Sequence, residues 1–252
     1  MKTVYSLSFL IAALALLAFT TLPADASKID SRIESSARQT YVFKTYLQND
    51  DIKIQSKDGA VTLTGVVADE SHKSLAQETV AGLPGVASVD NRLEIKGAPS
   101  SANSDAWLRD KVKFTLLFHS SVSASRTEVD VKDSVVTLRG DARSFAQKQL
   151  ATEYAMDVDG VKDVKNEMTV TTTPPKKRTV GEKIDDASIT AQVKMTLLYH
   201  RSTSALKTSV TTKHGIVVLS GKAGNADEIK LATKLASDVI GVKSVKNQMT
   251  IE

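Results

Sequence analysis

Acid–base or metal chemistry in this chain would have to be built on four histidines, His72, His119, His200 and His214, because it contains no cysteine. Without Cys there is no thiolate nucleophile, no disulfide, no acceptor for a lipid anchor and no sulfur ligand for a metal. His119 and His200 stand at matching places, each following the apolar phrase TLLF or TLLY, and the position matching them nearer the start is Lys44. A cation at a helix C-terminus complements the macrodipole, and Lys serves there as well as protonated His. That exchange points to a structural role rather than a metal ligand or a general base. His72 falls on a predicted helix surface and His214 in a predicted hairpin turn. No H-E-x-x-H, G-x-S-x-G or P-loop spacing occurs. Ser204-Ala205-Leu206-Lys207 fits S-x-x-K, but it precedes a strand instead of opening a helix and lacks its partner motif. Carboxylates are plentiful and scattered. The residues predict neither an enzyme nor a cofactor or metal.

The elements that would position these side chains occur three times. Gly65, Gly140 and Gly221 close the phrases VTLTG, VTLRG and VVLSG; 20 residues later come Gly85, Gly160 and Gly241, and 6 further on Asn91, Asn166 and Asn247. Extended back to Ile33, Leu108 and Ile189, the register holds for 58 residues in every copy. Each copy begins with an amphipathic helix, apolar at i, i+4 and i+8, as in Leu108, Val112 and Leu116. Two alternating strands follow, joined by KDG, KDS or KHG. Gly59 and Gly215 suit a tight turn with positive φ, and Ser134 marks a departure in the middle copy. A second helix and a last strand complete an αββαβ unit. The expected fold class is α+β: three tandem αββαβ domains, each a three-stranded mixed sheet packed against two helices, with a right-handed crossover making the last two strands parallel. The domains are expected at 28–96, 105–171 and 184–252. Between them lie a linker at 97–104 and a Pro/Lys-rich linker at 172–183. A unit near 65 residues has a small core, so packing between copies is expected.

Residues 1–26 read as a cleaved signal peptide: Lys2, the apolar stretch Leu7–Phe19, and Ala24-Asp25-Ala26 ahead of Ser27. The apolar stretch is too short to span a bilayer. A soluble periplasmic protein is the expectation, and export excludes nucleic acid as a partner.

The export signal, the αββαβ order, the Gly closing the second strand and the GVxxVxN phrases (GVASVDN, GVKDVKN, GVKSVKN) together resemble the BON-domain family. Within it, the chain looks like the osmotically inducible periplasmic protein Y group, whose members typically carry two copies; the third is a departure. The resemblance implies a non-enzymatic periplasmic module tied to envelope integrity or osmotic stress, with phospholipid as the partner proposed for the family. It implies no small-molecule substrate.

Two features differ between copies. Net charge is −1 over residues 27–98, −1 over 99–173 and +6 over 174–252. A basic copy on a near-neutral frame suits an anionic lipid surface. The first helix also has a second apolar side: Trp107, Phe114 and Phe118 in copy two, matched by Ser188, Met195 and Tyr199 in copy three but mostly polar in copy one. A helix apolar on two sides is covered on both or touches a partner. Packing between copies two and three is the first expectation for it. The expected lipid contacts are Lys176, Lys177, Arg178, Lys194 and Arg201, with Met195 and Tyr199 dipping in. The alternative is an adaptor or chaperone-like module that binds envelope proteins through Trp107, Phe114 and Phe118.

Overall fold

The computed structural model describes residues 23–97, 104–122, 127–171, 183–203 and 207–252. The signal-peptide reading, Lys176, Lys177 and Arg178, and Ser204 to Leu206 lie outside or largely outside these residues.

Copy one contains α1 (Pro23–Gln39), α2 (Tyr41–Thr45), β1 (Asp51–Lys57), β2 (Ala60–Val67), α3 (Glu70–Ala81) and β3 (Ser88–Ile95). Copy two contains α4 (Asp105–Phe118), β4 (Thr127–Lys132), β5 (Val135–Ala142), α5 (Phe145–Met156), β6 (Asp163–Asn166) and β7 (Thr169–Val170). Copy three repeats this with α6 (Asp186–Tyr199), β8 (Thr208–Lys213), β9 (Ile216–Ala223), α7 (Ala226–Asp238), β10 (Ser244–Asn247) and β11 (Thr250–Ile251). In each copy an antiparallel hairpin is joined by a parallel last strand, so β2 lies between β1 and β3, and β5 and β9 occupy the same central place. The last strand is continuous in copy one and falls into two short pieces in the others, both on the central strand. The fold is α+β throughout.

The three hairpin turns are alike, including the middle one. Asp58 and Gly59, Asp133 and Ser134, and His214 and Gly215 all have positive φ, the pairing that matches strand twist in a two-residue loop. Ser134 is held there by Asp105, whose carboxylate accepts the N–H groups of Asp133 (2.8 Å) and Ser134 (2.9 Å). Asp30 and Asp186 do the same for their own turns. The Ser56 hydroxyl, with these N–H groups, draws the Asp30 carboxyl below the ordinary range, and the N–H groups of its turn do the same for Asp105. At Gly65 and Gly221, φ is +120° and +123°, and an added Cβ would stand 1.9 Å from the Asp51 carbonyl oxygen or 2.0 Å from that of Lys207. Only Gly allows the hairpin partner to pass so close.

The first helix of copy one breaks at Thr40, which accepts the Phe43 N–H and donates its own hydroxyl to the Ala37 carbonyl. The freed N–H groups of Tyr41 and Val42 donate to Asp185 and Ser188 of copy three. The copies therefore share structure. Phe114 and Phe118 of copy two and Ala187, Ala191, Met195 and Tyr199 of copy three belong to the apolar cluster built on copy one's Leu75, Val80 and Val42. The cores of copies two and three are separate clusters around Val136 and Leu138, and around Val217 and Leu219. No helix among the described residues is long and apolar enough to cross a membrane.

Candidate functional site

The asparagine of each GVxxVxN phrase turns toward its own second helix. Asn166 donates to the Lys148 carbonyl (2.8 Å) and the Thr152 hydroxyl (2.8 Å), and its side-chain oxygen accepts the Met168 N–H (3.0 Å). Asn247 bonds Ile229, Thr233 and Met249 in the same way, and Asn91 bonds Lys73, Gln77 and Leu93. All three satisfy both ends of the amide, tying the last strand to the helix it follows. Gly85, Gly160 and Gly241, at positive φ, make the bend into that strand. The Gly and Asn of the phrase make a joint, with neither left over for a ligand.

Met195 is 1% and Tyr199 7% exposed, so neither is available to dip into a membrane as the sequence suggested. The Tyr199 hydroxyl donates to Ser71 of copy one. Lys194 is paired with Glu78 of copy one at 2.7 Å, and Arg201 donates to the carbonyls of Met156, Val158 and Val161 at the end of α5. These four residues join copies together. Phe114 and Phe118 are buried in one cluster with Ala187, Ala191, Met195 and Tyr199 of copy three and with copy one, which removes them as an adaptor face and adds copy one to the expected packing of copies two and three. Trp107 is half-buried beneath Lys111, whose ammonium sits 4.0 Å from the ring centroid and donates to the Asp159 carbonyl.

Copies two and three meet through helix ends, about a pseudo-two-fold axis. Ser120 N–H donates to the Asp238 carbonyl and Ile240 N–H to that of Phe118; in mirror roles, Arg201 N–H donates to Asp157 and Asp159 N–H to Tyr199. His119 and His200 face this junction. Both stand at the helix ends, as expected, but enclosed there: their side chains are 0% and 8% exposed. His119 Nδ1 lies 3.1 Å from the Asp238 carboxylate, and its ring stacks on Tyr154 at 3.9 Å. Asp238 also accepts the hydroxyls of Ser120, Ser121 and Tyr154. Burial raises the Asp238 carboxyl, but the bonds from His119 and the three hydroxyls outweigh it and hold the group well below the usual range. Burial, with Asp238 beside it, pushes the Tyr154 phenol up. Thr115 Oγ1, Thr196 Oγ1 and both histidine Nε2 atoms have no hydrogen-bond partner here. The space they line has no room for a water molecule. A histidine–aspartate pair enclosed in this way has no path for a substrate. Among the described residues no cluster of three metal-ligating side chains forms.

The exposed counterpart is the outer face of copy three's sheet. Inward residues Val210, Val217 and Leu219 are buried, so Ser209, Thr211, Lys213, Val218, Ser220, Lys222, Ser244 and Lys246 face outward. Register brings Lys213 opposite Ile216, Lys246 opposite Val218 and Lys222 opposite Thr250. That face presents Lys213, Lys222 and Lys246, and at its edge Lys207 is paired with Glu252 at 2.7 Å. The matching positions of copy two hold Glu128, Asp130, Asp141 and Asp163, where copy three has Ser209, Thr211, Lys222 and Ser244. Copy one is mixed, with Asp51, Asp90 and Glu94 beside Lys53, Lys57 and Arg92. Sequence reasoning saw the charge excess but assigned its lipid contacts to the Pro/Lys-rich linker and to Lys194 and Arg201 around the first helix. Strand parity, applied to each copy's lysines, would have found this face.

Fold and surfaces define a tandem-repeat α+β protein built from three αββαβ modules. The BON domain model matches residues 29–97, 104–172 and 185–252, and the chain belongs to that family. It is 30% identical over 143 residues to osmotically-inducible protein Y of Escherichia coli (strain K12), covering 55% of this chain and 71% of that one. It is also 30% identical over 115 residues to a 21 kDa hemolysin of Actinobacillus pleuropneumoniae, covering 45% of this chain and 59% of that one. The solved structure of CdsD, a structural protein of the Type III secretion system of Chlamydia trachomatis, aligns over 87% of this chain and 90% of that one at 17% identity, with a TM-score of 0.25. A score that low carries no argument.

Proposed function

We propose that this chain is a non-catalytic periplasmic protein of envelope or osmotic stress that docks on anionic phospholipid surfaces through the outer sheet face of copy three. The observation that carries the reading is Lys213, Lys222 and Lys246 exposed on one face where the carboxylate of Glu252 is already paired with Lys207; copy two keeps Lys132 and Lys165 but has Asp141 in place of Lys222 and adds Glu128, Asp130 and Asp163. The name of the Escherichia coli relative supports the link to osmotic stress. The signal-peptide pattern supports the periplasm. Each Lys near such a surface contributes on the order of 1 kcal/mol, so three give weak, reversible, salt-sensitive docking.

Vesicle co-sedimentation tests it. Binding to phosphatidylglycerol-containing vesicles, absent with phosphatidylcholine alone, is expected to disappear when Lys213, Lys222 and Lys246 are all changed to Glu. Binding that ignores anionic lipid content, or persists in the triple variant, overturns the proposal.

A further inference from the structure

We propose that the junction between copies two and three is an acid-released latch, closed while His200 is neutral and opened by its protonation. The protonation state follows from hydrogen-bond geometry. His200 Nδ1 lies 3.1 Å from the backbone nitrogen of Ser202, whose N–H can only donate. Nδ1 therefore carries a lone pair, and the ring's single proton is on Nε2. Gaining a second proton at Nδ1 means breaking that bond, which lies at the exposed edge of the junction, and placing a charge on a ring that is 8% exposed.

The groups around His200 are few. From α5, Asp157 places a carboxylate oxygen 3.6 Å from Nε2, beyond hydrogen-bond reach, with its side chain half-exposed. From α6's own end comes the Arg201 guanidinium, already committed to the carbonyls of Met156 at the end of α5 and of Val158 and Val161 in the segment that follows. From α4 comes His119, and from α7 comes Asp238, whose charge is already met by His119, Ser120, Ser121 and Tyr154. Tyr154 is an uncharged phenol. Only Asp157 favours a cation at His200, and it does so from a half-solvated position. Burial is the main influence lowering the His200 imidazole; Arg201 and His119 push the same way, Asp157 opposes them, and the net direction is down.

The sign of the linkage is fixed by this. The open state, with His200 in water, binds a proton near the ordinary histidine value of about 6.5, and the closed state binds it only at lower pH. The closed junction has its full stability above that value and loses it as pH falls, by at most roughly tenfold in the open-to-closed ratio for the first unit below. His119 and His200 line the same closed space with unpartnered Nε2 atoms, so a new charge there has no water to meet unless the helix ends separate.

The chain lacks cysteine, so spin labels at Gln149→Cys on α5 and Lys234→Cys on α7 report the junction cleanly by electron–electron distance measurement. A single short distance is expected at pH 7.5, with a longer population rising, by up to about tenfold, by pH 5.5. His200→Asn keeps an acceptor for Ser202 N–H and cannot titrate; it should keep the short distance at both pH values. Identical distributions at both pH values in the parent, or a response that survives His200→Asn, overturn the latch. Should His200→Asn lack the short distance at pH 7.5, the His200 imidazole resonances of the unlabelled parent decide. A midpoint below 6.5 that tracks opening supports the latch, and a midpoint at or above 6.5 overturns it.

Discussion

Replacing Tyr154 by Phe removes one oxygen from the junction and leaves the rest of the ring in place. The hydroxyl donates to a carboxylate oxygen of Asp238 at 2.7 Å, while the ring continues to stack on His119. A hydrogen bond to a charged group contributes about 1.5–3 kcal/mol. Asp238 keeps its bonds from His119, Ser120 and Ser121, and its side chain is 17% exposed, so the lower end, about 1.5–2 kcal/mol, is expected. The N–H groups of Ser120 and Ile240 cross the same junction and read its opening directly. Their hydrogen exchange in Tyr154→Phe should accelerate by roughly ten- to thirtyfold. In an Asp238→Ala background the hydroxyl has lost its acceptor, so adding Tyr154→Phe should change exchange by less than about threefold. Unchanged exchange in the single variant, or the same acceleration in both backgrounds, would show that this bond does not hold the copies together.

Two further outcomes test the modules themselves. Gly221→Ala forces a Cβ to 2.0 Å from the Lys207 carbonyl oxygen at φ +123°; thermal melting followed by circular dichroism should show copy three weakened by about 3 kcal/mol or more. Gly224→Ala, whose Cβ meets only the Glu228 carboxylate at 3.4 Å, should melt like the parent, and equal melting of both variants refutes the steric reading. Asn166→Ala removes three hydrogen bonds and should cost about 3 kcal/mol in chemical denaturation, against about 1 kcal/mol for Thr152→Val. Equal losses from the two would mean the amide is not the joint between β6 and α5.

Much of the fold was legible because it is local and repeated. The 58-residue register from Ile33 to Asn91, and its two recurrences, identified the units, their αββαβ order and the glycine positions, since helix and strand periods are written in nearest neighbours. The spacing of 28 residues from Asp30, Asp105 and Asp186 to their hairpin turns was equally present, and it explains why Ser134 substitutes for Gly without changing the turn. Copy one's helix break at Thr40 was not legible, because the matching Thr115 and Thr196 lie inside unbroken helices. The break is sustained by caps from Asp185 and Ser188, more than 140 residues away.

The sequence by itself determined that the first helices of copies two and three are apolar on two sides, and that copy three is basic. Only the tertiary structure decided what those properties mean. Periodicity says a helix side is apolar without saying what covers it, and here both second sides converge on copy one, burying eleven of the fourteen residues of α6. Contacts such as Lys194 with Glu78 and His119 with Asp238 join residues more than 100 positions apart and leave no spacing to read. With the helix covered, the free positive charge of copy three among the described residues includes the outer face of its sheet, where strand register gathers Lys213, Lys222 and Lys246 from three strands.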